Sequence, residues 1–482
     1  MSTIVEQVFR FAEKNPDKMA LSNGKSSISY GNLCKQAVFA KDILKEKYGL
    51  KKGDAVILSA DKQLSFVSTY FACHLLEVMV LPLALDVNSK RLGLIFSKTN
   101  PKLMIGLKSD LDCAYADLAE FEGLKDYEDV DFPTADSLAD VLFTTGTTGE
   151  PKGVSLSQKN IEAAALNINT FIGNKSDDVE LLALPISHSF GLGRMRCALS
   201  NGQTVIVLGS FANMKKFFSY IEEYRVTGFG MVPASWALIK KMSGLKIKDY
   251  AEQLHYIEIG SAPMPLEDKL LLIENLPNTR VCMHYGLTEA SRSAFMEFHE
   301  EKDFLNTVGK QSPNMFIEIR DENGNPVEDG AEGEICVKGD AVTKGYFKLP
   351  LVNENSFWGD HFRTGDWGIK FPDGHIKLCS RKKELINVGG KKVSPIEVEE
   401  PLKELNFIDD CVCVGMEDPD GVVGEVVKAY VVTSTPERVQ KDELNAFLSK
   451  HIENYKLPYE YEVIDSIPKT ASGKIQRLML KK

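Results

Sequence analysis

Leu142-Phe-Thr-Thr-Gly-Thr-Thr-Gly-Glu-Pro-Lys-Gly-Val154 is the stretch on which the reading of this chain turns. An apolar run at 141–143 feeds glycines and threonines and ends in Pro151-Lys152-Gly153. Glycine lets backbone N–H groups approach an anion closely, threonine hydroxyls add donors, and lysine neutralises phosphate charge. It is not a Walker A loop, because Pro151 rather than glycine precedes the lysine. Outward from this loop, short β-branched runs alternate with helical patterns. Strands are expected at 55–59 and 78–84 around a helix at 66–77, and a strand at 204–208 precedes an amphipathic helix at 211–224. That order predicts an α/β architecture with largely parallel sheets.

Two later regions differ. From 309 to 378, Gly- and Pro-punctuated short strands predict a hairpin-rich β subdomain with turns at 322–326 and 329–333. Strands at 411–416, 426–432 and 459–464 and a helix at 441–454 predict a small α+β C-terminal domain. The charged run Arg381-Lys382-Lys383-Glu384 marks the boundary. The expected division is an N-terminal domain at 1–380 and a C-terminal domain at 384–482.

The chain has 482 residues, long enough for two to four domains at roughly 100–200 residues each. Lys and Arg number 57 against 68 Asp and Glu, a net charge of −11, which argues against nucleic acid or an anionic membrane as the main partner. With 43% hydrophobic and 26% charged residues it can bury a large core. Nine cysteines without CxxC spacing suggest neither a disulfide framework nor a metal site, and Cys411 and Cys413 read as one face of a strand. A reducing cytoplasm is the expected setting. The most hydrophobic window, 64–85, contains His74, Glu77 and Pro82, and reads as a buried helix followed by a buried strand, not a membrane span.

Further motifs follow in order. They are Pro185-Ile-Ser-His188-Ser-Phe-Gly191, Gly260-Ser261-Ala262-Pro263, Tyr285-Gly286-Leu-Thr288-Glu289, Thr364-Gly-Asp366, Arg381 running into Val388-Gly389-Gly390, and Pro468-Lys-Thr-Ala-Ser-Gly-Lys474. With the 142–154 loop they resemble the motif series of the adenylate-forming superfamily, which includes acyl- and aryl-CoA synthetases, adenylation domains and beetle luciferases. The likeness spans nearly the whole chain. The residue types also suit the chemistry. A carboxylate is already an anionic nucleophile at pH 7 and needs no general base. The obstacle is bringing it to an anionic phosphate, so cations and hydroxyl donors must converge.

The resemblance implies an ATP-dependent acid–thiol ligase using ATP, magnesium and coenzyme A. Thr144, Thr145, Gly146, Thr147, Thr148, Gly149 and Lys152 would hold phosphates. Thr288 would contact the α-phosphate, Glu289 would bind magnesium with Thr148, and His188 would sit beside the acyl pocket. Gly260, Ser261, Ala262, Tyr285 and Gly286 would frame the adenine, Asp366 would accept the ribose hydroxyls, and Arg381 would assist. Lys474 would bridge the substrate carboxylate and the α-phosphate. Residues 381–383 would be a hinge centred on Lys383, with Gly389 and Gly390 on the loop brought in for thioester formation. The acceptor would be coenzyme A or a carrier protein; a silent binding protein on this fold is the rival from another class. No acid follows Phe190, which favours a plain carboxylate over an amino acid. Arg194 and Arg196 are expected to form structural salt bridges, with a second anionic group on the substrate as the alternative. The acid and the oligomeric state stay open.

Overall fold

The computed structural model describes residues 2–59, 62–144, 151–389, 391–469 and 475–481. Its contacts divide the chain into two compact units, Met1–Ile317 with Val337–Phe362, and Glu318–Cys336 with Arg363–Lys482. The second unit therefore begins within the β-rich stretch, ahead of the boundary expected at 381. Contacts inside it explain why: Thr364 Oγ1 donates to Ile335 O at 2.7 Å, Lys382 pairs with Glu334 at 2.9 Å, and Lys392 pairs with Glu322 at 2.5 Å.

Within the first unit lie two sheets. Six strands run parallel in the larger one, in the order Arg280–Tyr285, Tyr256–Ile259, Gly228–Met231, Val179–Leu182, Thr204–Val207 and Met19–Ser22, with antiparallel strands at both edges. The other sheet orders Ala114–Ala116, Leu103–Ile105, Ala55–Leu58, Met79–Pro82 and Leu138–Thr144 in parallel, and closes with the antiparallel Lys152–Ser157. On Ala55–Leu58, Val56 and Leu58 pack into one core cluster and Ala55 and Ile57 into another. A strand buried on both faces reads as a continuous apolar run, which is why this one stands out in the sequence.

The 64–85 window folds as the helix Ser65–Leu75, buried along its whole length, and the strand Met79–Pro82. Glu77, at φ 52°, follows that helix in a left-handed conformation. No helix among the described residues is long and apolar enough to cross a membrane.

The second unit carries antiparallel Asp410–Glu417 and Glu425–Val432, with Glu460–Val463 added in parallel. Cys411 and Cys413 face one core cluster while Val412 and Val414 face another, as the CxC spacing suggested. The helix expected at 441–454 is shorter, Lys441–Leu448. Lys456 pairs with Glu397 on the neighbouring Pro395–Lys403 helix and with Glu453, and this holds the chain in a separate 3-10 turn, Asn454–Lys456. That tertiary ion pair is invisible to local periodicity.

One buried cation gives a pH signature. Lys269, on the helix Leu266–Asn275, is buried with its Nζ donating to Leu305 O, and burial pushes its ammonium down from 10.5 to about 8. Between those values the unfolded chain binds the proton and the native state does not. Stability therefore rises with pH across that window, by up to about 3 kcal/mol, and below it the lysine is charged in both states. Lys269→Met should flatten the rise. Urea unfolding of both proteins at pH 7.5 and pH 10 measures it, and an unchanged slope would refute the assignment.

Candidate active site

Three loops converge because of strand polarity. Val179–Leu182, Tyr256–Ile259 and Arg280–Tyr285 are parallel strands of one sheet, so residues 183–191, 260–263 and 286–292 all leave from the same edge. Open α/β sheets place ligands at this carboxyl edge. His188 occupies the N-cap position of the helix Ser189–Ser200, exposed and extended, without capping through its side chain. Next to it, Ser189 Oγ lies 3.3 Å from Thr288 Oγ1, which joins the acyl-side segment to the signature turn.

Backbone geometry at this edge is demanding. A Cβ on Gly260 would fall 2.1 Å from the His284 ring, and one on Gly286 would fall 2.5 Å from the Arg292 nitrogen, so only glycine fits at either position. Ser261 holds φ at 74° and Arg292 at 49°, left-handed conformations costing about 1–3 kcal/mol each for such residues, which persist where surrounding structure enforces them. Tyr285 is buried at the end of its strand, and Leu287 and Ala290 exchange backbone hydrogen bonds across a tight turn.

Glu289 projects from that turn, buried, and Tyr346 Oη donates to its Oε1 at 2.8 Å. Tyr346 is bridged to Val154 of the Lys152–Ser157 strand, and Lys152 Nζ lies 5.2 Å above its ring. One tyrosine thus carries the lysine of the phosphate-loop motif and the carboxylate of the signature motif. Thr144 ends its strand opposite Lys152, its Oγ1 donating to Lys152 O at 3.5 Å. Tyr346 was missed in the sequence; its only signal is an aromatic after Gly345 in the β-rich stretch.

Behind the turn lies a buried ionic network. Arg194 grips Glu180 through Nε at 3.0 Å and Nη2 at 2.6 Å, and its Nη1 donates to Glu258 Oε2 at 3.1 Å. Arg292 Nε donates to Glu258 Oε1 at 3.0 Å, and His284 Nδ1 lies 2.7 Å from that oxygen. Burial alone would raise Glu258, but Arg292, His284 and Arg194 outweigh it and hold the carboxyl well below the usual range. Burial pushes His284 down towards its neutral form. Arg196 pairs with Asp140, which also faces His74, and its Nε donates to Tyr70 Oη at 2.9 Å. Both arginines flagged in the sequence are therefore paired within the protein; Arg292 and Glu258 were not foreseen.

In the second unit, Asp366 and Arg381 sit opposite each other on adjacent antiparallel strands, with Asp366 Oδ1 2.8 Å from Arg381 Nε. Lys383 is exposed in the 3-10 turn Lys382–Glu384. Gly389 turns the hairpin between Ile386–Val388 and Lys391–Val393 with φ 58°. Thr145, Gly146, Thr147, Thr148, Gly149, Gly390 and Lys474 lie outside the described residues. Both sides of the segment carrying Lys474 are anchored. Lys469 bridges to Ile475, Gln476 N donates to Pro468 O at 2.9 Å, Lys469 pairs with Asp410 at 2.7 Å, and Arg477 Nη2 donates to both oxygens of buried Glu399 at 2.7 and 2.8 Å.

Among the described residues no group of three or more His, Cys, Asp or Glu could hold a metal unaided. A single carboxylate still suits magnesium, which binds through one or two carboxylates together with substrate phosphates and waters. Glu289 fits that pattern: Tyr346 donates to its Oε1, and no hydrogen-bond donor to Oε2 is found among the described residues.

The chain matches the AMP-binding enzyme family over residues 8–347 and the AMP-binding enzyme C-terminal domain over residues 397–474. It is 28% identical over 478 residues to a 2-succinylbenzoate–CoA ligase of Bacillus licheniformis, covering 97% of each chain. An oxalate–CoA ligase of Arabidopsis thaliana is 29% identical over 508 residues, covering 99% of this chain and 97% of the other. Among solved structures, O-succinylbenzoate coenzyme A synthetase (MenE) from Bacillus subtilis, in complex with ATP and magnesium ion, is similar with a TM-score of 0.86 and 25% identity, covering 99% of both chains.

The Arg477 clamp yields a stability test. Arg477→Ala leaves Glu399 buried without its counter-charge, and breaking such a pair costs about 3–5 kcal/mol. Hydrogen exchange at the Ile475 and Gln476 amides should accelerate, and Arg477→Lys should recover part of the protection. Exchange unchanged in Arg477→Ala would show that the pair does not anchor this segment.

Proposed function

The chain belongs to the AMP-binding enzyme family, and from that premise we propose that it is an ATP-dependent acid–thiol ligase. It joins a carboxylic acid to the α-phosphate of ATP with release of pyrophosphate, then passes the acyl group to the thiol of coenzyme A with release of AMP. The observation that carries this reading is the convergence of Lys152 and Glu289 on Tyr346 beside the Thr288 hydroxyl's turn. An ammonium, a carboxylate for a hard cation and a hydroxyl donor come together at the carboxyl edge of a parallel sheet. CoA-ligase relatives that match the chain nearly end to end support it.

In this reading Lys152, with the threonines of 145–148, orients the β- and γ-phosphates. Glu289 would hold magnesium together with phosphate oxygens, and the ion would supply charge neutralisation for the leaving pyrophosphate. Thr288 donates to the α-phosphate, and Ser189 fixes the direction of that hydroxyl. Gly260, Ser261, Ala262, Tyr285 and Gly286 border the adenine. Asp366 accepts from the ribose hydroxyls while Arg381, 2.8 Å from its Oδ1, keeps its carboxylate aligned. Lys474 draws the substrate carboxylate to phosphorus. Lys383 serves as the hinge between half-reactions, and Gly389 and Gly390 admit the pantetheine arm, because glycine lets the backbone pass close to a ligand.

Pyrophosphate exchange across a panel of acids tests the first half-reaction, and a binding protein on this fold would show none. Adding coenzyme A to the reaction tests the acceptor. Lys474→Ala separates the steps further. Losing one preorganised donor commonly costs about 10²–10³ in rate, roughly 3–4 kcal/mol. Adenylate formation should fall by at least that factor, while acylation of coenzyme A from supplied adenylate continues. Adenylation within a few fold of wild type would overturn the role given to this lysine.

A further inference from the structure

A small cavity in the first unit, about 20 Å³, lies beside the Ser189–Thr288 hydroxyl pair. Its polar lining is Ser189, Thr288, Ser291, Asn160, Arg196 and Arg292, against leucine, isoleucine and alanine side chains from the Gln158–Ile172 helix and neighbouring strands. The volume suits one water-sized group. Asn160 is already committed, its amide nitrogen donating to Asp340 O and Val342 O and its oxygen accepting from Ser157. Arg292 Nη1 donates to Ser291 Oγ at 3.2 Å, and a Cβ on Gly193 would stand 2.8 Å from that nitrogen, so glycine keeps this wall open.

Arg196 is the group with capacity to spare. Only 5% exposed, it donates through Nε to Tyr70 and through Nη2 to Asp140, while its Nη1 has no acceptor among the described residues. Arg196 lines the cavity, and a guanidinium N–H for which the protein supplies no acceptor is suited to an oxygen placed there. The charge balance says which kind. Arg194, Arg196 and Arg292 are matched by Glu180, Glu258 and Asp140, three against three. A second carboxylate entering here would be an uncompensated buried anion, whereas a neutral oxygen takes the hydrogen bond without added charge.

We infer that the acid activated by this enzyme bears an uncharged oxygen near its carboxyl group, a hydroxyl, keto or amide carbonyl, which this cavity receives through Arg196. The inference rests on the ligase reading, because Thr288 lines the cavity and that reading also places Thr288 at the reacting phosphate. Arg196 is thus a binding residue that sets specificity, and a fully alkyl or dicarboxylic acid is the poorer substrate.

The test compares matched acids by pyrophosphate release on the wild-type protein: 2- and 3-hydroxy or oxo acids, their unsubstituted partners, and diacids of equal length. An unmade buried hydrogen bond predicts a preference for an oxygenated acid of about 5- to 150-fold in kcat/KM over its unsubstituted partner, and it should also exceed the diacid. Arg196→Lys keeps a cation beside Asp140 and removes the planar Nη1 donor, so the preference should collapse towards unity whatever its effect on overall rate. Equal rates for oxygenated and plain acids, a preferred diacid, or a preference that survives Arg196→Lys would each overturn the inference. So would a crystal structure with adenylate bound and an ordered water only in the cavity. If no acid releases pyrophosphate, the ligase reading fails first and takes this inference with it.

Discussion

Three guanidiniums and three carboxylates buried together in the first unit set the terms for everything at the carboxyl edge. Burying an ion costs several kcal/mol even after relaxation, and attraction offsets this only when geometry and hydrogen bonding are nearly complete. Arg194 and Arg196, about 200° apart on a helix of 3.6 residues per turn, point to different sheets. Arg194 reaches Glu180 and Glu258 on two strands of the larger sheet, and Arg196 reaches Asp140 on a strand of the other. The helix Ser189–Ser200 is therefore tied to both sheets. It cannot slide without unpairing a buried charge.

Glu258 extends that constraint to the chemistry. One oxygen accepts from Arg194 on the helix and the other from Arg292 behind the signature turn. Thr288 and Ser189, proposed to act at the reacting centre, sit on the two elements that this carboxylate joins. The left-handed backbone of Arg292 is tolerable because its guanidinium has a fixed partner. Positioning of this kind matters for a reaction between two anions, where the rate depends on holding donors and cations in place beforehand. Arg194 donates to two carboxylates through Nε, Nη1 and Nη2, whereas Arg196 faces a single carboxylate and has no acceptor for Nη1 among the described residues.

The second unit solves its own positioning problem with different groups. Asp366 and Arg381 face each other by strand register, so the pair follows from the ladder once it forms. The segment around Lys474 is bounded by ion pairs to Asp410 and Glu399, on a strand and a helix of the same small core. Asp366 and Arg381 stand on paired strands, and Lys469 and Arg477 are each tied to that core by an ion pair.

The sequence by itself determined the class of fold, the strand–helix alternation and the ordered motifs, because these are written in local patterns of period two and 3.6 and in glycines that only certain turns require. Strands at 55–59 and 411–416 were legible for that reason, and they form as Ala55–Leu58 and Asp410–Glu417; Gly260 and Gly286 were legible too, where any side chain would strike His284 or the Arg292 backbone. What the tertiary structure alone decided involves partners far apart in the chain. Tyr346 meets Glu289 across 57 positions and Arg196 meets Asp140 across 56. The helix expected at 441–454 ends at Leu448, and Lys456 beyond it pairs with Glu397, 59 positions away. A guanidinium in a sequence announces only that a charge must be satisfied. Which carboxylate satisfies it, and whether a donor is left over for a ligand, depends on how the sheets bring distant strands together, and that is settled only when the whole core has packed.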